Sequence, residues 1–450
     1  MKKPLLIIFV LLGTGMFAQE HFSGISTSRR TGIINATVNP AELTNLKHEY
    51  EVNVLNLSVN ASNNKITFGD ILKGDNLDDL LFAGTKNVNV NANIEILGPA
   101  FAFKMDKWAF AITTAAKAKI NVVDVNSQLG RALTTETAAT SLLTGYLTAN
   151  QNQRAAATTW GELGFSAARD IFENDEHKIS AGITFKLLFP GSYTNIAIDK
   201  FDGNIDFDAS GDVYITDAQA NVNLAYSGSL ADGFTDAKNY TDFFSGGLHG
   251  FSTDIGVNYR WKDSNSDSDE DYKINAGLSF QNMGKMTFKD ENNVSNNYSL
   301  NIPDGQRLSL TQFDGVDNLK DIEQVLLQSG YVTLNQSNKN FKVNLPATMA
   351  LYADVKVYNN FYVTGFLQQK LDNEDQNDQM GAQNLFTVTP RYSGEKFEVF
   401  VPFSSNEVSG FTTGIGFRVG GFYIGSGSIL TAAIKDTNQA DAYLGYRFGF

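Results

Sequence analysis

The side chains that most often do chemistry are few in this chain and badly spaced for it. His21, His48, His177 and His249 lie far apart, with none of the short spacings that bring imidazoles to one metal. Asp263, Asn265, Asp267 and Asp269 set oxygens at alternate positions, as a calcium loop does. Ser268, however, stands where the turn needs glycine, and Ile274 where a bidentate glutamate should close the site. The run reads as a solvated acidic turn. No nucleophile elbow, phosphate loop or pair of catalytic acids stands out. The lack of cysteine removes disulfides, thiolate metal sites and a cysteine lipid anchor together. The expectation is therefore a protein that is not an enzyme and holds no metal and no cofactor. What remains is a small cluster, Asn39, Pro40, Ala41 and Glu42, immediately before the first long strand, placed to make plug or ligand contacts.

Such contacts need a frame, and the C-terminus shows its kind. In Asp441 to Phe450 the residues Ala442, Leu444, Tyr446, Phe448 and Phe450 share one face of an extended strand. Asp441, Tyr443, Gly445, Arg447 and Gly449 share the other. Oil on one side and water on the other is the condition of a transmembrane barrel wall. The same parity recurs. Val88, Val90, Ala92, Ile94 and Ile96 alternate with asparagines and Glu95; Ile179, Ala181, Ile183, Phe185 and Leu187 with Lys178, Ser180, Gly182, Thr184 and Lys186. Ile255, Val257, Tyr259 and Trp261 oppose Asp254, Gly256, Asn258 and Arg260. A soluble sandwich also alternates, but it does not carry Arg, Lys, Glu and Asp in mid-strand on one face with Trp and Phe near strand ends on the other.

Walls are expected at about 50–60, 87–105, 108–122, 159–172, 177–190, 251–262, 272–284, 343–357, 361–371, 383–393, 395–404, 410–420, 421–430 and 440–450, which makes fourteen. Tight connections, such as Asp106-Lys107, Tyr358 to Asn360 and Gly420-Gly421, then alternate with long ones, as in barrels with short turns on one side and long loops on the other. Phe201 to Tyr226 also alternates; it reads as a hairpin standing above the rim, with a sixteen-stranded barrel as the alternative. Helical spacing marks three of the long loops. These are Leu77, Leu80 and Leu81; Leu129, Leu133, Leu142, Leu143, Tyr146 and Leu147; and Leu319, Ile322 and Leu326, stopped at Gly330. They form either an apolar lid or helices packed over the mouth.

Residues 1–18 read as a cleaved secretory signal, with Lys2-Lys3, an apolar run from Leu5 to Leu12 and a cut expected after Ala18. Residues 19–49 do not fit a wall. Ile33, Ile34 and Val38 are poor choices for a loose tail, so this segment is expected to be a lumenal plug, with 50–450 forming the barrel. The net charge of −14 argues against nucleic acid, whose phosphates demand a basic surface.

The small-residue N-terminus ending in Asn39-Pro40-Ala41 resembles the hatch of the long-chain fatty-acid transporter (FadL) superfamily of outer-membrane barrels, including the PorV-like members of Bacteroidota secretion systems. The paired walls Asp254 to Trp261 and Ile274 to Phe288, the latter with an Asn-x-Gly step at Asn282-Met283-Gly284 that ends the strand, carry the same likeness, as does Asn344 to Thr348 opening a wall. In particular the chain resembles an uncharacterised Bacteroidota family of such barrels, a domain of unknown function. The resemblance implies an all-β, fourteen-stranded outer-membrane barrel with an N-terminal plug. It implies passive uptake or transfer of hydrophobic small molecules or, alternatively, a non-enzymatic scaffold that binds secreted or surface proteins. The implied partners are outer-membrane lipid, such molecules or proteins, and the barrel-assembly machinery, through the terminal strand ending in Phe450. Glu42 departs from the pattern, where a glycine is usual, and sets a carboxylate beside the plug motif.

Overall fold

Fourteen antiparallel strands close into a ring in the computed structural model, which describes residues 21–74, 77–134, 145–231, 247–263, 271–316, 318–373 and 375–450. The signal segment, Leu142, Leu143 and most of the acidic turn, 264–270, lie outside the described residues. The walls are β1 (Tyr50–Asn63), β2 (Val88–Leu97 and Ala100–Met105), β3 (Trp108–Val125), β4 (Gln153–Glu173), β5 (His177–Phe207), β6 (Gly250–Lys262) and β7 (Tyr272–Lys289). Then follow β8 (Asn340–Asn344 and Thr348–Tyr358), β9 (Phe361–Lys370), β10 (Leu385–Ser393), β11 (Phe397–Phe400 and Phe403–Asn406), β12 (Gly410–Thr413 and Ile415–Val419), β13 (Phe422–Ser426) and β14 (Gln439–Gly449). Each pairs with the next, and β14 returns to β1 with Gly449 opposite Glu51 and Gln439 opposite Ser62. No helix among the described residues is long and apolar enough to cross a membrane; the crossing elements are strands.

Closure leaves no edge in the ring itself and fixes which face sees lipid. Leu444, Tyr446, Phe448 and Phe450 are exposed, whereas Tyr443 and Arg447 on the same strand are buried. Ile183, Phe185, Ile255, Val257, Leu351 and Phe417 repeat the outward apolar pattern, and Asp254, Asp354, Arg391, Glu398 and Arg418 the inward polar one. An outer surface of large apolar groups around a charged interior is stable only in a bilayer, so this is a transmembrane barrel. At the end of the tight turns the outward side chains become aromatic. Tyr50 stacks between Phe450 and Phe101, and Trp108 stacks on Phe110 while Arg169 covers its ring. These groups form the girdle expected where lipid meets headgroups.

The segment 201–226 adds no wall. β5 pairs with β6 only through Leu188; its upper half runs on and pairs with Val213–Ser227, which pairs in turn with Val294–Ser309, and that with Val332–Asn338. Gly145–Ala149 joins on the other side of β5. The result is a hood of sheet above the rim, larger than the expected hairpin. Its apolar face, with Ala220, Val222, Leu224, Leu300 and Ile302, is covered by Leu129 and Ala132 of helix Ser127–Thr134 and by Leu319 and Leu326 of helix Leu319–Ser329. Burial of a Leu, Ile or Val is worth about 1.5–3 kcal/mol, so these helices hold the hood together. Helical spacing thus marked packing onto a sheet. Tyr146 and Leu147 belong to a strand instead, paired opposite Asn204 and Gly203.

Two further readings change. Wall 421–430 ends at Ser426, because the Asp441 carboxylate accepts bonds from Gly427 N (2.6 Å) and Ser428 Oγ (2.6 Å) and turns the chain into helix Ile429–Ile434. The Asn282-Met283-Gly284 step does not end β7, which runs to Lys289. It is a bulge at which Asn282 takes a left-handed φ of 56° and its N–H donates to Asp254 Oδ1 at 2.7 Å.

Candidate functional site

Residues 21–49 lie inside the ring, where Phe22, Ile25, Ile33, Ile34, Leu43 and Leu46 pack with inward wall residues such as Ala102, Phe400, Tyr423 and Tyr443, and polar contacts fix the segment's position. Ser28 Oγ donates to Glu398 Oε1 (2.7 Å), Ile33 N to Glu51 Oε2 (3.0 Å), Ser279 Oγ to Val38 O (2.6 Å) and Tyr443 OH to Ser23 O (2.6 Å). Arg29 donates to Tyr362 OH and pairs with Asp271. An extended wall offers its inward side chains and glycines, while its backbone is already used by the ladder, so a plug can be seated mainly through side chains.

Asn39, Pro40, Ala41 and Glu42 sit where the inner wall is stripped to glycine. A Cβ on Gly182 would lie 2.5 Å from Ala41 N and from Pro40 C, one on Gly256 2.1 Å from Asn39 Oδ1, and one on Gly277 2.6 Å from Asn39 Nδ2. The inward glycines of β5, β6 and β7 are therefore a seat. Asn39 caps the 3-10 turn Pro40–Asn45 by accepting from Ala41 N, and its Nδ2 donates to Val257 O at 2.8 Å. Glu42 is buried. It accepts from Asn258 Nδ2 (3.0 Å), Asn275 Nδ2 (2.8 Å) and Tyr352 OH (2.5 Å), with the Arg260 guanidinium 3.9 Å away. The Glu42 carboxylate therefore ties three walls to the plug. None of the four residues lines the chamber described next.

A second closure comes from the long-loop side. The connection between β9 and β10 bends across the lumen. Asn152 Nδ2 donates to Asp375 O (2.8 Å), Tyr193 OH to Asn377 O (2.8 Å), and Arg154 to Gln376 and Gln379 carbonyls. Beyond these, Gly381 N donates to Asn121 Oδ1 (3.1 Å) and Gln383 Nε2 to Ser62 Oγ (2.8 Å) on the far wall. Sequence reading passed over this segment as a plain connection. Its one local signal is weak: Met380, Gly381 and Ala382 are small or apolar in an otherwise polar loop.

Between plug and loop lies a chamber of about 180 Å³. Phe22, Ile33, Ile34 and Val38 of the plug form an apolar floor, Phe366 and Ala382 also line it, and one wall is charged. Lys117 Nζ stands 3.4 Å from Glu162 and 3.7 Å from Glu95; Lys186 Nζ stands 2.7 Å from Asp254 and 3.9 Å from Glu162, whose other oxygen accepts from Trp160 Nε1 at 2.8 Å. His21 is 3.8 Å from Glu95. The other histidines are elsewhere, with His177 beside Tyr259 OH at the turn end. Glu95 and Lys117 are direct cross-strand partners, and Lys186 and Asp254 are diagonal neighbours across the β5–β6 pair, where Lys186 lies opposite Ser252 and Thr184 opposite Asp254. This arrangement can shelter a small molecule with both an apolar and a polar part. His21 Nδ1 also lies 2.9 Å from the buried Ser58 Oγ.

Residues 40–427 match the model of a family described as a family of unknown function (DUF5723). The chain belongs to that family. A search of curated proteins gives no match. Among solved structures, this DUF5723 member is similar to a deletion mutant of the TodX monoaromatic hydrocarbon channel, at 11% identity and TM-score 0.48, covering 96% of this chain and 98% of that one. It is also similar to the Ralstonia pickettii toluene transporter TbuX (12% identity, TM-score 0.40, 94% of each chain). A third likeness is to a Pseudomonas aeruginosa FadL homologue (8% identity, TM-score 0.42, 96% of this chain and 98% of that one).

Proposed function

We propose that this protein is a non-enzymatic transport barrel of the outer membrane, of the fatty-acid-transporter type, which lets hydrophobic or amphipathic small molecules pass a displaceable plug. The observation that carries the reading is the chamber, with its apolar floor on the plug and its charged wall on β2 to β6. Besides its apolar packing, the plug is positioned by hydrogen bonds that water can replace as the segment moves, the neutral ones, such as Ser279 Oγ to Val38 O, being worth about 0.5–1.5 kcal/mol net each. The test is uptake of oleate, toluene and glucose by liposomes containing the purified barrel. Saturable uptake of oleate or toluene, absent for glucose and for empty liposomes, is the expected result. Equal permeation of all three, or of none with the plug in place or deleted, argues against it.

A scaffold reading rests on the hood. Val332–Asn338 pairs on one side only among the described strands, and Thr333 to Asn338 are exposed, as a surface that receives a secreted or surface protein would be. Co-purification of a partner that is lost when Val332–Asn338 is made proline-rich would favour it over transport.

A further inference from the structure

Among the described residues the bilayer-facing surface has a built concavity at the top of the wall, where β13 stops short. β13 pairs with β14 only as far as Tyr443, so Gln439 to Ala442 pair with β1 alone, Ala442 opposite Val59 and Ala440 opposite Ala61. The missing length of β13 has become helix Ile429–Ile434, which overhangs the gap. Beneath it lies a groove of about 550 Å³, whose outward wall positions are Ala61, Ala92, Ala440 and Ala442 and whose roof includes Phe68 and Ile429. Elsewhere the same positions of the belt carry Ile183, Phe185, Leu351 or Phe448.

We infer that this groove holds one alkyl chain of a bilayer lipid as a fixed, stoichiometric ligand. Small side chains remove bulk from the wall, the overhanging helix supplies an outer side, and the opening is continuous with the belt, where Val59, Ile94 and Ile120 already face acyl chains. An apolar cavity of roughly 150 Å³ is enough to stay dry and admit benzene, so a groove several times larger takes a chain rather than a ring. A second copy of the barrel presents a convex belt and leaves the concavity empty. The inference rests on the membrane-facing surface and not on transport, so either reading stands if the other fails.

The test is native mass spectrometry of the barrel reconstituted with dioleoylphosphatidylethanolamine and returned to detergent. One lipid per barrel is expected to survive delipidating washes. Ala442→Trp, which fills the groove from β14, is expected to lower that retention at least tenfold. Ala61→Trp fills it from β1 and keeps the test open if the first variant fails to fold, which heat-modifiable gel migration reports. Ile183→Trp, on the convex belt, is expected to retain the lipid. Equal retention in all four proteins, loss in the control as well, or a barrel dimer in place of the lipid adduct overturns the inference.

Discussion

Removing the Glu42 carboxylate tests how the plug is held. Three wall donors converge on it, Asn258, Asn275 and Tyr352, Asn45 of the plug itself adds a fourth at 2.8 Å, and Arg260 lies beside it. A hydrogen bond to a charged group contributes about 1.5–3 kcal/mol, so a naive sum over the wall donors would approach 9 kcal/mol. That sum overcounts, because Asn258 Nδ2 already has Asn275 Oδ1 at 2.9 Å and Tyr352 OH at 3.3 Å to turn to. What cannot be replaced is the countercharge of Arg260, and breaking a buried pair costs roughly 3–5 kcal/mol. The low end applies here, since the pair is 3.9 Å apart, and about 3 kcal/mol is a factor of about 100 in the population of the unseated motif. The chain has no cysteine, so Leu43→Cys, on a fully buried neighbour, gives a single reporter. Labelling by a membrane-impermeant maleimide should run about 100-fold faster in the Glu42→Ala background, with Glu42→Gln between the two. A rate within threefold of the parent would refute the idea that this carboxylate is the anchor.

Other consequences follow from the same contacts. Gly256→Val places a branched side chain where a Cβ alone would meet Asn39 Oδ1 at 2.1 Å, so it should expose Leu43→Cys to maleimide while leaving heat-modifiable migration intact. Arg154→Ala frees the connection that crosses the lumen and should raise single-channel conductance in planar bilayers, more so when combined with Glu42→Ala; unchanged conductance in the pair would count against two closures in series. In the hood, burial and then the bond to Glu323 push the Tyr298 phenol up to about 12. Its folded value lies above the unfolded one of about 10, so its contribution to hood stability is complete below pH 10 and is lost as pH rises through about 12. Absorbance at the phenolate band should show this tyrosine ionising after the exposed tyrosines in wild type, and at lower pH in Glu323→Ala than in wild type.

Walls were legible wherever one face meets lipid, because period-two sorting over nine or more residues has no other cheap explanation. β14, β5 and β6 were read residue by residue, and the short turns fixed their number. The misread places are those where a side chain overrides the period. Asp441 ends β13 by binding Gly427 and Ser428, and Asn282 turns a presumed stop into a bulge by donating to Asp254. The site was less legible. Asn39 to Glu42 stood out as a cluster, but their seat of Gly182, Gly256 and Gly277 is made by three strands far apart in sequence. The chamber depends on the register between β5 and β6, separated in sequence by part of the hood, to bring Lys186 to Asp254, and the inward loop on carbonyl acceptors, which carry no signature in residue type.

The central claim is that lipid touches one parity of each wall and the lumen the other, and nitroxide scanning of β14 reaches it most directly. Single labels at 442 to 448 in liposomes should show oxygen accessibility high at 442, 444, 446 and 448 and low at 443, 445 and 447, with a water-soluble nickel complex excluded from the high set. A flat profile, or nickel access at Leu444 and Tyr446, would mean that these side chains face no bilayer.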